Sequence, residues 1–341
     1  MKKIIYVLLV VCIVLGSCST GEAAAGAIAK LFGGSSEALV FLDCRAVSED
    51  EIEFDFSRPV TVKSLNFEPV IAVAGIEDGS TVKVRLSAIQ KPGAEITADI
   101  LVEDPDKNTI NVLIPLRARN NRMPSLVINE ICTESASAAA GKKEEFIEFK
   151  MKSAGNLGAM RVVINSNSNA AKKTVYEFSP VEVKKGEYVT LHLRTYNQSS
   201  KDEYTDNLDE SAGVNASSTG RDFWIPGEAK ILHKTAMIYV LDQDDRVIDA
   251  AILSENPDNW WTKDYFAETA EFLFNSGAWK SPDGKVCRPQ DAVISAKATA
   301  TRTICRDETV DDSNTAKDWY ITDTSKASPG KPNDSKRYVP K

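Results

Sequence analysis

Few side chains in this sequence have the type and spacing that bond-making chemistry requires. The two histidines, His192 and His233, stand in the strand-like runs LHLR and ILHK and read as packing or surface residues rather than bases. No H-E-x-x-H, G-x-S-x-G or C-x-x-C occurs, and Gly141-Lys142 lacks the upstream glycine and the following Ser/Thr of a phosphate loop. Asp104-Pro105-Asp106-Lys107-Asn108 has the D-x-D-x-N opening of a calcium loop. Thr109 stands where its glycine is needed and Pro115 where its bidentate glutamate is needed, so the stretch reads as a hairpin turn. Residues 197–221 carry Asp202, Glu203, Asp206, Asp209 and Glu210 among few apolar residues. They read as a mobile, solvated loop, with a divalent-cation loop as the sharper alternative. The expectation is no enzyme, no metal and no cofactor.

What remains is contact and attachment chemistry. Trp260 and Trp261 follow the turn residues Asn256-Pro257-Asp258-Asn259. In an extended segment adjacent side chains point opposite ways, so one indole is expected at the surface as a contact for a protein or glycan partner. Cys44, Cys132, Cys287 and Cys305 follow residue 18, and of these the Cys287–Cys305 pair is expected to form a disulfide across neighbouring strands.

Cys18 is the thiol with the clearest role. Lys2-Lys3 precede twelve apolar residues, Ile4 to Leu15, a signal-peptide core that falls short of the roughly 20 residues of a spanning helix. Leu15-Gly16-Ser17-Cys18 then resembles the lipobox of bacterial lipoproteins. The resemblance implies cleavage after residue 17, with an S-diacylglyceryl thioether and an N-acyl chain on Cys18. It also implies a lipid-anchored place in the bacterial cell envelope, at the outer membrane or the periplasmic face of a membrane. Residues 18–36, rich in Ala, Gly and Ser, read as the lipidated start and flexible tether.

The elements behind these residues are strands. The 341-residue chain has 43% hydrophobic content and net charge −8, enough for several cores and without the basic footprint of a nucleic-acid binder. From 37 to 122 the period is two: Ile52, Phe54 and Phe56 alternate with Glu51, Glu53 and Asp55, and turns fall at EDGS, KPGA and DPDKN. The stretches EFDFSRPV, DGSTVKVRL and KPGAEITADI resemble the bacterial Ig-like modules of surface proteins.

A second β-sandwich is expected over 124–334, with insertions at 197–221 and 254–284 and a C-terminal tail at 335–341. LVINEI, EEFIEF, KKGEYVTL, RVIDAA and a closing Asp318-Trp319 … Ser328-Pro329-Gly330 … Asn333 resemble the lamin-tail domain. That family is Ig-like, and the resemblance implies a tethering or binding role rather than an activity. Asn129 and Glu130 are expected to satisfy backbone groups, Trp319 to be core, and Pro329-Gly330 to make the last turn. Phe266, Ala270, Leu273 and Phe274 have helical spacing, so a short amphipathic helix is expected from Lys263 to Asn275. The fold class is thus all-β: two tandem Ig-like sandwiches, the second with a helical insertion. The expected function is a non-catalytic binding or adhesion module, with an envelope spacer or an unrecognised hydrolase as alternatives.

Overall fold

The computed structural model describes residues 38–138, 141–166 and 173–340, so the leader and Cys18 lie outside the described residues. The first domain is a six-stranded sheet of β1 (Phe41–Ala46), β2 (Glu51–Glu68), β3 (Val73–Glu77), β4 (Gly79–Leu86), β5 (Glu95–Glu103) and β6 (Thr109–Arg117). β2 organises it. Its first part pairs with β1 and β4, and after an irregularity between Asp55 and Val60 its second part pairs with β5. A strand that changes partners in this way curls the sheet around its own apolar face. The alternation read in the sequence is the burial pattern: Ile52, Phe54 and Phe56 are buried with Val82, Val84 and Ile100. On the other face Arg45 bridges Glu53 and Asp55, each at 2.6 Å.

Asp104 closes the β5–β6 hairpin. Its carboxylate accepts the Asn108 backbone N–H and side-chain amide, both at 2.9 Å, and meets Arg58 at 3.3 Å. Lys107 supplies the positive φ of +68° that the turn needs.

The second domain runs β7 (Leu126–Cys132), β8 (Ala136–Ala138), β9 (Gly141–Lys143), β10 (Phe146–Met151), β11 (Gly155–Asn156), β12 (Arg161–Ser166), β13 (Lys173–Glu177), β14 (Glu182–Val183), β15 (Tyr188–His192), β16 (Arg221–Trp224), β17 (Ala236–Leu241) and β18 (Val247–Ser254). The helix α1 (Asp264–Asn275) follows, then β19 (Val293–Ile294), β20 (Ile304–Arg306) and β21 (Trp319–Ile321). One sheet has the order β16-β15-β10-β7-β20-β21 and the other β13-β12-β17-β18-β19. Ile128, Phe149 and Leu191 from the first share one core with Ile164, Ile238 and Ile252 from the second. This is a β-sandwich.

Every residue of β17 is buried, because α1 covers part of the outer face of its sheet. Phe266, Ala270 and Leu273 are the buried stripe of α1, Phe274 is half-buried, and the Asn165 amide donates to Thr269 Oγ1 at 2.5 Å. Burial of a Phe or Leu side chain contributes about 1.5–3 kcal/mol, which accounts for helix and sheet closing as one unit.

Residues 336–338 are not a free tail. Lys336 C=O accepts from Asp323, Tyr338 N–H donates to Ile321, and Arg337 pairs with Asp307, so the end of the chain zips onto the segment around β21.

Candidate functional site

Two carboxylates set the architecture of the closing turn. Glu130 on β7 and Glu148 on β10 are cross-strand partners, both fully buried on the sheet face turned away from the core. Like charges placed opposite one another repel, so such a pair needs donors. Glu130 accepts from Ser328 N–H (3.1 Å), Ser328 Oγ (3.0 Å) and Thr303 Oγ1 (2.5 Å). Glu148 accepts from the Gly330 N–H at 2.5 Å and the Asn129 amide at 3.0 Å. Burial pushes both carboxyls up, Glu148 the further because the Glu130 charge adds to it.

The ladder continues at Glu308, which takes Lys150 Nζ at 2.5 Å, the Asn129 amide at 3.0 Å and the Asn333 N–H at 3.2 Å. Burial works against the Glu308 charge, but Lys150 and these donors outweigh it and hold the carboxyl below its ordinary range. Asn333 in turn donates to the carbonyls of Asn129 and Arg306. The residues that carry the Asn-Glu, Glu-Phe-Ile-Glu and Ser-Pro-Gly-x-x-Asn motifs therefore meet in space as a latch. Trp319 is buried in the core beneath the Arg306 guanidinium, 4.7 Å away.

A second polar lock fixes the first insertion. His192 is fully buried, with Nε2 2.8 Å from Asp222 and Nδ1 3.2 Å from Glu144, the latter contact close but poorly directed. Its ring stacks on Trp224 at 3.8 Å. Asp222 and Glu144 also take the backbone N–H groups of Ser217 and Asn215. Residues 197–221 are consequently not the simple solvated loop that their composition suggests. Glu203 is buried and accepts from three backbone N–H groups, those of Glu210, Ser211 and Asp222. Asp202 likewise caps the Trp224 N–H, Asp206 and Glu210 pair with Lys184 and Lys201, and no cluster among the described residues is arranged to hold a metal ion.

Between this insertion and the closing turn lies a groove of about 370 Å³. Residues 214–218 form one wall, residues 325–331 the other, and Lys143 stands at the rim. Gly330 has a φ of +76°, and a Cβ there would lie 2.1 Å from Ser217 Oγ, so glycine is required where the two walls touch.

The tryptophan pair divides as expected from an extended segment. Trp260 is 79% exposed, whereas Trp261 is half-buried. The Trp261 Nε1–H donates to Cys287 C=O at 2.9 Å, and its ring packs 5.8 Å from Phe266.

The expected Cys287–Cys305 disulfide does not form: both are free thiols, as are Cys44 and Cys132. Cys305 lies on β20 beside Thr303 Oγ1, 3.6 Å away, on the latch side of its sheet. Cys287 packs in the sandwich core just before β19, on the other sheet. Burial pushes the Cys287 thiol up to about 12 and raises that of Cys305 as well, so both are inert.

Fold and latch together define an all-β protein whose second sandwich is closed by buried carboxylates. That second sandwich places the chain in a family: it belongs to the TP_1001 protein second domain family, which matches residues 124–321. An uncharacterized protein of Treponema pallidum (strain Nichols) is 24% identical over 207 residues, covering 57% of this chain and 50% of that protein. The chain thus spans about half the length of this relative. A DUF4876 family protein from Bacteroides thetaiotaomicron VPI-5482 is 11% identical with a TM-score of 0.29, over 82% of this chain and 92% of that one. The N-terminal part of the bacterial S-layer protein SbsC is 12% identical with a TM-score of 0.24, over 46% of this chain and 42% of that one.

Proposed function

We propose that this protein is a non-catalytic envelope lipoprotein, anchored through Cys18, whose Ig-like and lamin-tail-like domains present a binding surface to a protein or glycan partner. The observation that carries the reading is the mounting of Trp260. Its indole stands in solvent while Trp261 clamps the same segment to the core, and Asp258 C=O is held by the Gln290 N–H at 3.1 Å. A rigidly held aromatic offers large contact area with little entropy left to lose on binding. The leader read in the sequence supports the anchor, and the tether that follows it supports display away from the bilayer.

The test uses the full chain in producing cells. Replacing Cys18 by Ala is expected to abolish labelling by a fatty-acid analogue and release the chain from the membrane fraction. A photo-crosslinking residue at position 260 is expected to give a discrete adduct that is absent when the same residue replaces Leu113, also exposed. Equal patterns at the two positions, or none, would favour the spacer reading. Trp260→Ala should leave Tm unchanged, whereas Trp261→Ala should lower it.

A further inference from the structure

We propose that the groove between residues 214–218 and 325–331 binds an acidic sugar, a polyol ring bearing a carboxylate or phosphate. The site is distinct from the Trp260 corner and does not rest on the reading of that corner. At about 370 Å³ the groove is within the roughly 300–1,000 Å³ of small-molecule sites.

Its charge is unusual for this chain. Lys143 and Lys331 line the groove, no carboxylate does, and neither side-chain ammonium makes an ion pair or hydrogen bond among the described residues, the Lys331 backbone N–H being spent on Ser328 C=O. Neighbouring lysines are engaged instead: Lys142 with Glu228, Lys201 with Glu210 and Lys326 with Asp334. In a chain of net charge −8, two uncommitted cations facing a carboxylate-free concavity form a local anion site.

Four carboxylates bond to the walls without lining the groove: Glu130 accepts from the Ser328 hydroxyl, which leaves Ser328 Oγ as an acceptor, while Glu144, Asp222 and Glu148 accept the N–H groups of Asn215, Ser217 and Gly330. The Ser218 and Ser325 hydroxyls have no internal partner among the described residues and remain free to bond a polyol. No aromatic side chain lines the groove, so it offers no stacking platform for a nucleobase. Hydroxyl-dense walls and two point charges select a hydroxylated anion.

The walls are also set before any ligand arrives. Thr219 Oγ1 donates to Gly330 C=O at 2.9 Å, and the Ser325 N–H donates to Thr301 C=O at 2.7 Å. Ser325 is held at a φ of +63°, a conformation that costs a non-glycine residue of order 1–3 kcal/mol and that surrounding bonds must maintain. Preorganisation of this kind raises affinity by removing ordering costs on binding.

The test is titration calorimetry of the full lipidated chain in nanodiscs at fixed salt, with glucuronate, glucose 6-phosphate, glucose and inorganic phosphate as probes. At least one acidic sugar is expected to bind tenfold or more tightly than both glucose and phosphate. Glucuronate as the tighter ligand identifies a carboxylated sugar, and glucose 6-phosphate a phosphorylated one. The double variant Lys143→Ala/Lys331→Ala should remove the preference, and Ser218→Tyr, which fills the groove while leaving both charges, should abolish binding. Equal affinity for glucose, equal affinity for phosphate, an unchanged double variant or no binding by either acidic sugar would overturn the proposal.

Discussion

Burial works against a charge on His192, but Asp222 and Glu144 outweigh it and raise its folded pKa above the ordinary histidine value. A raised folded value means that the native state binds the proton more tightly than the unfolded chain. The stabilisation is therefore complete below about 6.5 and is lost as pH rises through the folded value. Glu130 and Glu148, pushed up by burial, act in the same direction, as does Asp249, pushed up by burial to about 6 despite the Arg306 guanidinium at 2.8 Å. Opposing them, hydrogen bonds from Thr309 lower Asp307, and the donors described above hold Glu308 down, so their stabilisation is lost as pH falls. Tm is therefore expected to be highest on the acid side of neutrality, at about pH 5, and to decline toward pH 9. His192→Gln should flatten the decline above pH 6 and leave the acid limb in place. A Tm that rises steadily from pH 5 to 9 in the unaltered chain would contradict this account, and a scanning-calorimetry series in matched salt decides it.

At the scale of elements, the closing turn stands on one residue that has no side chain. Gly330 combines a positive φ with a contact to Ser217 and Gly220, whereas Gly186, in the turn before β15, has a φ of +85° and open space around it. Gly186→Ala should therefore cost only backbone strain, about 1 kcal/mol, and Gly330→Ala that strain plus the displacement of a wall. For a domain of this size each kcal/mol shifts Tm by roughly 2–4 °C, so the two variants are expected to differ measurably in thermal unfolding. Equal losses would show that Ser217 yields without cost. The same contrast explains what was legible beforehand. Period-two burial in β2 and the helical stripe of α1 are local patterns, and both were readable within one residue at the start of α1. The motif residues of the latch were visible as types, and Glu130 as a group that satisfies backbone. Its partners Ser328 and Thr303 stand 198 and 173 residues away, however, and such pairings depend on strand order that no local period encodes. The acidic insertion misled for a related reason: Glu203 is polar in sequence yet buried, because its carboxylate caps the backbone of its own loop. Cys287 and Cys305 both lie in apolar contexts, and only the sheet assignment separates them.

The two domains meet through hydrogen bonds rather than through a shared apolar core, since the core clusters of residues 46–118 and 126–319 are separate. The joint is short and specific. The Asn120 amide donates to the carbonyls of Asn156 and Gly158, both at 2.8 Å, and the Asn120 N–H donates to Gln243 Oε1 at 2.9 Å. Gln243 Nε2 returns a bond to Ala118 C=O at 3.2 Å, and Arg119 grips Asp244 in a two-pronged ion pair. Gly93 and Gly158 bring their backbones so close that a Cβ on Gly93 would lie 2.5 Å from the Gly158 carbonyl carbon. Each buried hydrogen bond contributes about 1 kcal/mol net, so Asn120→Ala with Gln243→Ala should loosen the joint by a few kcal/mol without touching either core. The expected result is a larger radius of gyration in small-angle scattering and faster tryptic cleavage after Arg119 and Arg122. Both arginines lie between the two domains and are paired in the docked state, Arg119 with Asp244 and Arg122 with Glu182. Far-UV circular dichroism should stay unchanged, because each domain keeps its own core. Unchanged scattering and cleavage would show that the Arg119–Asp244 and Arg117–Glu177 ion pairs and the Gly93–Gly158 contact hold the orientation without these amides, and the bulkier Gly158→Val should then separate the domains.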